Sequence, residues 1–153
     1  MTTLLNEFKS VTEALNSAGI EYAVCGGWAM AIHGLPRATK DIDLLVLTDD
    51  LDRILRLLRE LGFDVEGLPP HFDVEIRRVS KISSEPKQLI TVGLLLVNDS
   101  MMDVWKDRQQ QQWDEGTASV VSREGLIKMK LLAGRKQDIL DIESLREVEE
   151  DEG

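Results

Sequence analysis

A run of apolar residues from Ile42 to Leu47 is interrupted only by Asp43, and Asp41 stands just ahead of it. A short, near-continuous apolar run of this kind reads as a strand buried inside a sheet. Side chains two apart on a strand share a face, roughly 6.6 Å from each other at a rise of ~3.3 Å per residue. Asp41 and Asp43 therefore point the same way, Leu45 and Leu47 continue their face, and Ile42, Leu44 and Val46 fill the other. Two carboxylates opening a buried strand repel each other unless something compensates. A divalent cation is the usual compensation, and oxygen-only ligands favour Mg²⁺ or Mn²⁺ over zinc. Taken alone, an Asp-x-Asp pair more often means one acid capping a loop and the other solvated at the strand mouth.

The residues upstream change that balance. Ile20 to Val24 reads as a strand, Gly26-Gly27 closes it, and Trp28 to Ile32 has the pattern of a short helix. Backbone N–H groups of a glycine turn at a helix start can meet phosphate oxygens. Between the glycines and the acids lie Arg37, Thr39 and Lys40 in a basic turn. A Gly-Gly turn alone is weak evidence, because tight turns need glycine for other reasons. Together with the two acids it makes a specific combination.

Elsewhere the chain reads as α+β, a single mixed β-sheet flanked by helices. Leu4, Phe8, Val11 and Leu15 have helical spacing, with Gly19 as a stop. Leu51, Ile54, Leu57, Leu58 and Leu61 predict a second helix, and Phe63 to Val65 a short strand. Val74 to Val79 alternates weakly, Leu89 to Val97 reads as a strand, and Met101 to Trp105 as the returning arm of a hairpin after the Asn98-Asp99-Ser100 turn. The four glutamines from Gln109 to Gln112 fit a polar helix face. A short Ser119 to Val121 strand precedes a helix through Leu126 and Leu131 that ends at Gly134, and a last helix carries Ile139, Ile142 and Leu145.

With 153 residues the chain has the length of one domain. Its longest apolar stretch, Leu89 to Val97, falls far short of the ~20 residues of a membrane helix. Met1 to Phe8 lacks the basic start and apolar run of a signal peptide, so a cytoplasmic location is the expectation. Cys25, the lone cysteine, excludes an internal disulfide framework and is expected to be buried and inert. The net charge of -10 disfavours broad nucleic-acid binding. Half of that excess, however, sits in Glu147, Glu149, Glu150, Asp151 and Glu152, so residues 1–146 are read as the domain and 147–153 as an acidic, disordered tail. Arg123 to Lys136 is locally basic, leaving room for a small anionic ligand.

Gly26-Gly27-Trp28-Ala29, His33-Gly34, Arg37, Thr39 and Asp41-Ile42-Asp43, with 13 residues between Gly27 and Asp41, resemble the signature of the nucleotidyltransferase superfamily with the DNA polymerase beta-like fold. The Gly-Gly-Trp-Ala opening is similar to that of the aminoglycoside and lincosamide nucleotidyltransferases. The His-Gly and Arg-x-Thr-x-Asp-x-Asp pattern, and Lys130, Gly134, Arg135, Asp138 and Asp141 downstream, resemble the AbiEii-like group, often found as toxins. The resemblance implies in-line attack on the α-phosphate of a nucleoside triphosphate, with two metal ions, Mg²⁺ or Mn²⁺, held by three carboxylates. Asp41 and Asp43 take the first two places. Gly26 and Gly27 would contact the triphosphate through their backbones, Arg37 would bind phosphate, and Thr39 would stiffen the loop before the acids. Lys130 is either a further phosphate ligand or an ordinary surface lysine. For the third carboxylate Asp103 is the first choice, as an acid within an expected apolar strand; its other reading is a salt bridge to Lys106 or Arg108. Asp73 and Glu75 are the fallback candidates.

Trp28 is expected in the core rather than against a base, and His33 as a packed or capping residue. The acceptor could be a small molecule, RNA or a protein. Because no acceptor-binding domain is evident, a partner protein or a second copy of the chain is expected to complete the cleft. The rival expectation is a catalytically inactive nucleotide-binding or regulatory partner, for example in a toxin–antitoxin pair.

Overall fold

The computed structural model of the protein describes residues 3–35, 39–67, 76–84, 87–113 and 116–152. Its strands are β1 (Ala23–Cys25), β2 (Asp41–Val46), β3 (Val65–Glu66), β4 (Ile76–Ser84), β5 (Lys87–Leu96), β6 (Gln109–Trp113) and β7 (Gly116–Val120). Its α-helices are α1 (Thr3–Ala18), α2 (Gly26–Ile32), α3 (Leu51–Glu60), α4 (Met102–Lys106), α5 (Arg123–Ala133) and α6 (Lys136–Glu152). The strands described form one mixed sheet in the order β3-β4-β5-β2-β1-β7-β6. The expected α+β architecture is the one found.

Strand β2 lies in the middle because it alternates nothing away to solvent beyond its first turn of acids. Ile42, Leu44, Leu45 and Val46 are fully buried, with β1 antiparallel on one side and β5 parallel on the other. The helical stripe of α1, Phe8, Val11 and Leu15, joins Ile54 and Leu58 of α3 and the β2 residues in one core. Phe8 stacks on Trp28 at 4.2 Å between ring centroids and meets Trp113 edge-on at 5.2 Å. Trp28 is thus part of the core, as expected, and its ring face is spent on Phe8.

Two segments differ from their sequence patterns. Met101 to Trp105 is not a strand: Asp99–Met101 forms a 3₁₀ turn that runs into α4. The cause is local, since the Asn98 side chain accepts the Met101 N–H at 3.1 Å and starts the turn as a helix cap. The hairpin partner of β5 is instead β4, antiparallel from Ile76 opposite Leu95 to Ser84 opposite Lys87. The glutamine run is not helical either. It forms the edge strand β6, paired from Gln109 opposite Val120 to Trp113 opposite Gly116, because its hairpin with β7 overrides the weak preference of glutamine. Helix α6 runs on through residues 147–152.

The α5–α6 hairpin is fixed by charge. Ser122 caps α5 by accepting the Gly125 N–H at 3.0 Å, and Gly134, left-handed at φ +66°, ends it. Asp138 and Asp141 on α6 are almost fully buried. Lys130 on α5 donates to Asp141 at 2.7 Å and stands 3.6 Å from Asp138. Arg135 reaches Asp138 through Nε at 2.7 Å, Nη2 at 3.2 Å and its own backbone N–H at 3.0 Å. The buried acids are thereby paired, which is the condition for keeping charge inside a protein. Among the described residues no helix is long and apolar enough to cross a membrane.

Phe8→Ala removes the ring that both tryptophans pack against and should cost about 3–5 kcal/mol, read as a lower urea midpoint at unchanged slope. Hydrogen bonds from Arg135, foremost, hold the Asp138 carboxyl below the usual carboxylate range. A pKa lowered on folding adds stability that is complete above the unfolded value near 4 and is lost as pH falls through the folded one. Asp138→Asn should accordingly flatten the acid limb of the stability–pH curve while lowering stability at neutral pH. A limb as steep as that of the wild type would show that this pair carries none of it.

Candidate active site

Asp41 and Asp43 occupy the first and third positions of β2, on one face of the sheet, with Asp41 exposed and Asp43 half-buried. In register, Asp43 lies between Cys25 of β1 and Gly93 of β5, and Gly93 in turn lies opposite Arg78 of β4. The Asp43 carboxylate is confined by glycines on both sides. A Cβ built on Gly93 would stand 2.7 Å from Oδ1, and one on Gly26 would collide with Oδ2 outright. Gly26 has φ +66°, a conformation that also favours glycine on its own account. Gly27, the first full step into α2, has a similar constraint from the basic turn: a Cβ there would lie 2.8 Å from Thr39 Oγ1. Thr39 donates from that hydroxyl to the Asp41 carbonyl at 3.1 Å, tying the glycine turn to the start of β2.

Burial, and then the charge of Asp41, push the Asp43 carboxyl above its ordinary pKa, while Arg78 and Arg135 pull it down. The same burial, with Asp43 adding to it, raises the Cys25 thiol above its ordinary range, so this buried cysteine stays protonated. Asp43 opens into a cavity of about 250 Å³, walled by Gly26, Ile76, Arg78 and Leu95 from the sheet side and by Leu126, Met129, Lys130, Ala133, Arg135 and Asp138 from α5 and the start of α6. Asp41 opens into a neighbouring cavity of about 640 Å³ with Thr39, Lys40, Gln88 and Thr91. Asp43 thus faces a cavity lined by three cations, and Asp41 a second, larger one lined also by Leu4, Leu89 and Ile90.

Asp103 stands elsewhere. It lies on α4, two-thirds exposed, with its carboxylate ion-paired to Lys128, whose hydrogen bond holds its pKa below the usual range. Lys128 and Lys130 are two residues apart on α5, about 200° around the helix, so they face opposite ways. Lys130 faces the Asp43 cavity and Lys128 faces α4, which puts α5 between Asp103 and Asp43. The ion pair that the sequence left open for Asp103 exists, but with Lys128 instead of Lys106 or Arg108. Among the described residues, no cluster of three or more acids, histidines or cysteines is placed to share a metal ion. Arg37, Asp73 and Glu75 lie outside the described residues. His33 is a packed residue, donating from Nε2 to the Val121 carbonyl at 2.8 Å.

The sequence pattern had passed over Gly93, Arg78 and Arg135 as site residues. For Gly93 a signal was present: a glycine within an apolar strand marks a close approach by another group. Arg78 carries none until the β4–β5 register is known.

A family model for aminoglycoside-2''-adenylyltransferases matches residues 7–133. No curated protein matches the chain in sequence. Among solved structures, TM1012 from Thermotoga maritima, a candidate nucleotidyltransferase, superposes with a TM-score of 0.66 at 18% identity, over 96% of this chain and 92% of that one. ANT(2")-Ia in complex with adenylyl-2"-tobramycin gives 0.66 at 15% identity, over 97% and 94%. The lincosamide antibiotic adenylyltransferase LnuA, bound to lincomycin, gives 0.61 at 14% identity, over 94% and 96%. At these identities the structures testify to the fold, and the family model, which spans most of the sequence including both acids and both glycines, testifies to kinship. The chain belongs to the aminoglycoside-2''-adenylyltransferase family and thereby to the enzymes that transfer nucleotidyl groups.

Proposed function

We propose that this chain transfers a nucleoside monophosphate from a nucleoside triphosphate to a hydroxyl of a small polar acceptor, with Asp41 and Asp43 as the carboxylates that hold a divalent metal. The observation that carries the reading is Asp43, confined between Gly26 and Gly93 beside Asp41, at the mouth of a cavity lined with three cations. The acceptor oxygen attacks the α-phosphorus and gives up its proton. The bond from that phosphorus to the bridging oxygen of the β-phosphate breaks, and pyrophosphate leaves.

The donor set fits Mg²⁺ or Mn²⁺. Two carboxylates share one face with no basic side chain hydrogen-bonded to either among the described residues, and their mutual repulsion is relieved by a hard divalent cation. Bound there, such an ion would supply charge stabilisation to the phosphoryl oxygens. Asp103, paired to Lys128, is left out of the metal set. Asp73 and Glu75 remain the sequence's candidates for the third carboxylate. Gly26 and Gly27 would offer the backbone N–H groups at the start of α2 to the triphosphate, with Thr39 fixing the turn, and Arg37 remains a candidate phosphate ligand from the sequence.

For the acceptor, the larger cavity beside Asp41 offers space outside the nucleotide site. A cationic antibiotic-like acceptor suits a chain of net charge -10 better than RNA does. The relatives crystallised with lincomycin and adenylyl-tobramycin make lincosamides and aminoglycosides the first compounds to offer.

Incubation with each labelled triphosphate, Mg²⁺ and a panel of such acceptors should move label to one of them and release pyrophosphate. Asp41→Ala or Asp43→Ala should cut transfer by about a thousandfold or more with the fold intact; activity kept in both variants would end the proposal. Because burial and Asp41 raise the Asp43 pKa, its ionised form costs stability at neutral pH. Asp43→Asn should therefore melt at a higher temperature than the wild type while losing transfer. Gly93→Ala, which drives a methyl into the Asp43 carboxylate, should also lose transfer, and its destabilisation should shrink when Asp43→Ala is added.

A further inference from the structure

We propose that Arg78 and Arg135 form a two-guanidinium clamp for the β- and γ-phosphates of the nucleotide, the part that leaves as pyrophosphate, and that Asp138 is the positioning residue that aims Arg135. This rests on the nucleotidyl-transfer function proposed above and deepens it.

The cavity at Asp43 is lined by three cations, Arg78, Lys130 and Arg135, against the two acids Asp43 and Asp138. In a chain of net charge -10 this local excess marks a place for an anion. The three cations differ in what they are free to do. Lys130 is 11% exposed, and its ammonium is committed to Asp141 at 2.7 Å with Asp138 at 3.6 Å. To turn toward a ligand it would have to leave two buried carboxylates, which is expensive. Lys130 is a strut that holds α6 to α5.

Arg135 is the opposite case. Its side chain is 76% exposed, yet Asp138, 1% exposed, grips its Nε and Nη2. A guanidinium has five donors in a planar fork. Two are used on Asp138, which leaves three for a ligand on a cavity-lining side chain whose rotamer is already chosen. Preorganising a cation in this way lowers the entropy lost when it takes up a phosphate.

Arg78 stands across the cavity. It is the last member of the row Cys25, Asp43, Gly93, Arg78 that runs over four adjacent strands. With strands ~4.8 Å apart, Arg78 and Asp43 are separated by about 10 Å of sheet, and the missing side chain of Gly93 between them leaves room for the Asp43 carboxylate. No described residue hydrogen-bonds or ion-pairs the Arg78 guanidinium. Its neighbour Arg77, which points to the other face, is the one that pairs with Glu66. Arg78 and Arg135 both line the cavity into which Asp43 opens, so both face whatever is bound there. Arginine forks match phosphate oxygens two at a time, and polyphosphate offers such oxygens on adjacent phosphorus centres.

The test is displacement of a fluorescent N-methylanthraniloyl-ATP from the full chain in Mg²⁺ by inorganic tripolyphosphate or by adenosine, with melting temperatures recorded for every variant. Arg78→Gln and Arg135→Gln should each weaken tripolyphosphate about tenfold or more and leave adenosine unchanged. Arg78→Gln, at an exposed position, should melt with the wild type. Asp138→Asn should weaken tripolyphosphate less, and its effect should disappear in an Arg135→Gln background. A purely structural role for Asp138 would instead give additive losses and would overturn the positioning assignment. Folded Arg78→Gln and Arg135→Gln proteins that bind tripolyphosphate like the wild type would overturn the clamp alone. A wild type that binds neither the ATP analogue nor tripolyphosphate would overturn the clamp together with the nucleotidyl-transfer function.

Discussion

The Asp43 carboxylate, half-buried between two glycines, is the constraint around which the rest is arranged. A charged group taken from water must be compensated, and here the immediate neighbours make matters worse, since Asp41 adds a like charge. The glycines do not stabilise the carboxylate; they allow it to exist at that depth. An alanine at position 26 or 93 would occupy its oxygens' space. Position 93 lies within β5, and position 26 is the hinge from β1 into α2, so two strands and a helix start depend on one side chain of the strand between them. The fold therefore holds a costly arrangement that ordinary core packing gives no reason to keep. A cost of that kind is retained where a site needs it.

Compensation comes from the far end of the chain. Helix α5 crosses over the Asp43 face with Leu126 and Met129 inward, and its own charge chemistry is settled by α6 before any ligand arrives. Asp141 takes Lys130 and Asp138 takes Arg135, so the basic wall has fixed geometry. Breaking one partner of such a buried pair typically costs about 3–5 kcal/mol, whereas the net worth of the intact pair is small. These acids thus do more to specify where the cations stand than to stabilise the hairpin. That separates α6 from a simple covering helix: its first turns are part of the site's wall.

The sequence shows β2 and its neighbours well because the signal there is local and doubled. The apolar run and the two acids specify strand, face and depth together, and the glycines fix where β1 must end. The segment from Asn98 to Trp113 was opaque for the converse reason. Met101 to Trp105 is apolar enough for strand or helix, and a single cap from Asn98 decides. The glutamines have no strong preference, and β7, a distant element until the hairpin closes, decides for them. Asp103 went with that segment: an acid in a strand would need a partner within the sheet, but an acid on an exposed helix meets Lys128 one helix over. Arg78 was unreadable as a site residue because it lies far from the acids in sequence, and Arg135, though part of the downstream pattern of the resemblance, had no role there until its place was known. Arg78 comes to the site only through a register three strands wide, and Arg135 only through the α5–α6 turn.

The overall charge now has a spatial meaning. A protein of net charge -10 repels anions at a distance, so a free triphosphate gains nothing from long-range steering. Bound as its magnesium complex it carries less charge, and within a Debye length the local cations outweigh the rest. On the proposed function, the two substrates then see different parts of one field: the nucleotide feels the short-range wall of Arg78, Lys130 and Arg135, and a cationic acceptor feels the acidic whole. Asp43 lines the one cavity and Asp41 the other. The fold fixes where the reacting groups stand, and the distribution of charge decides what is drawn to each.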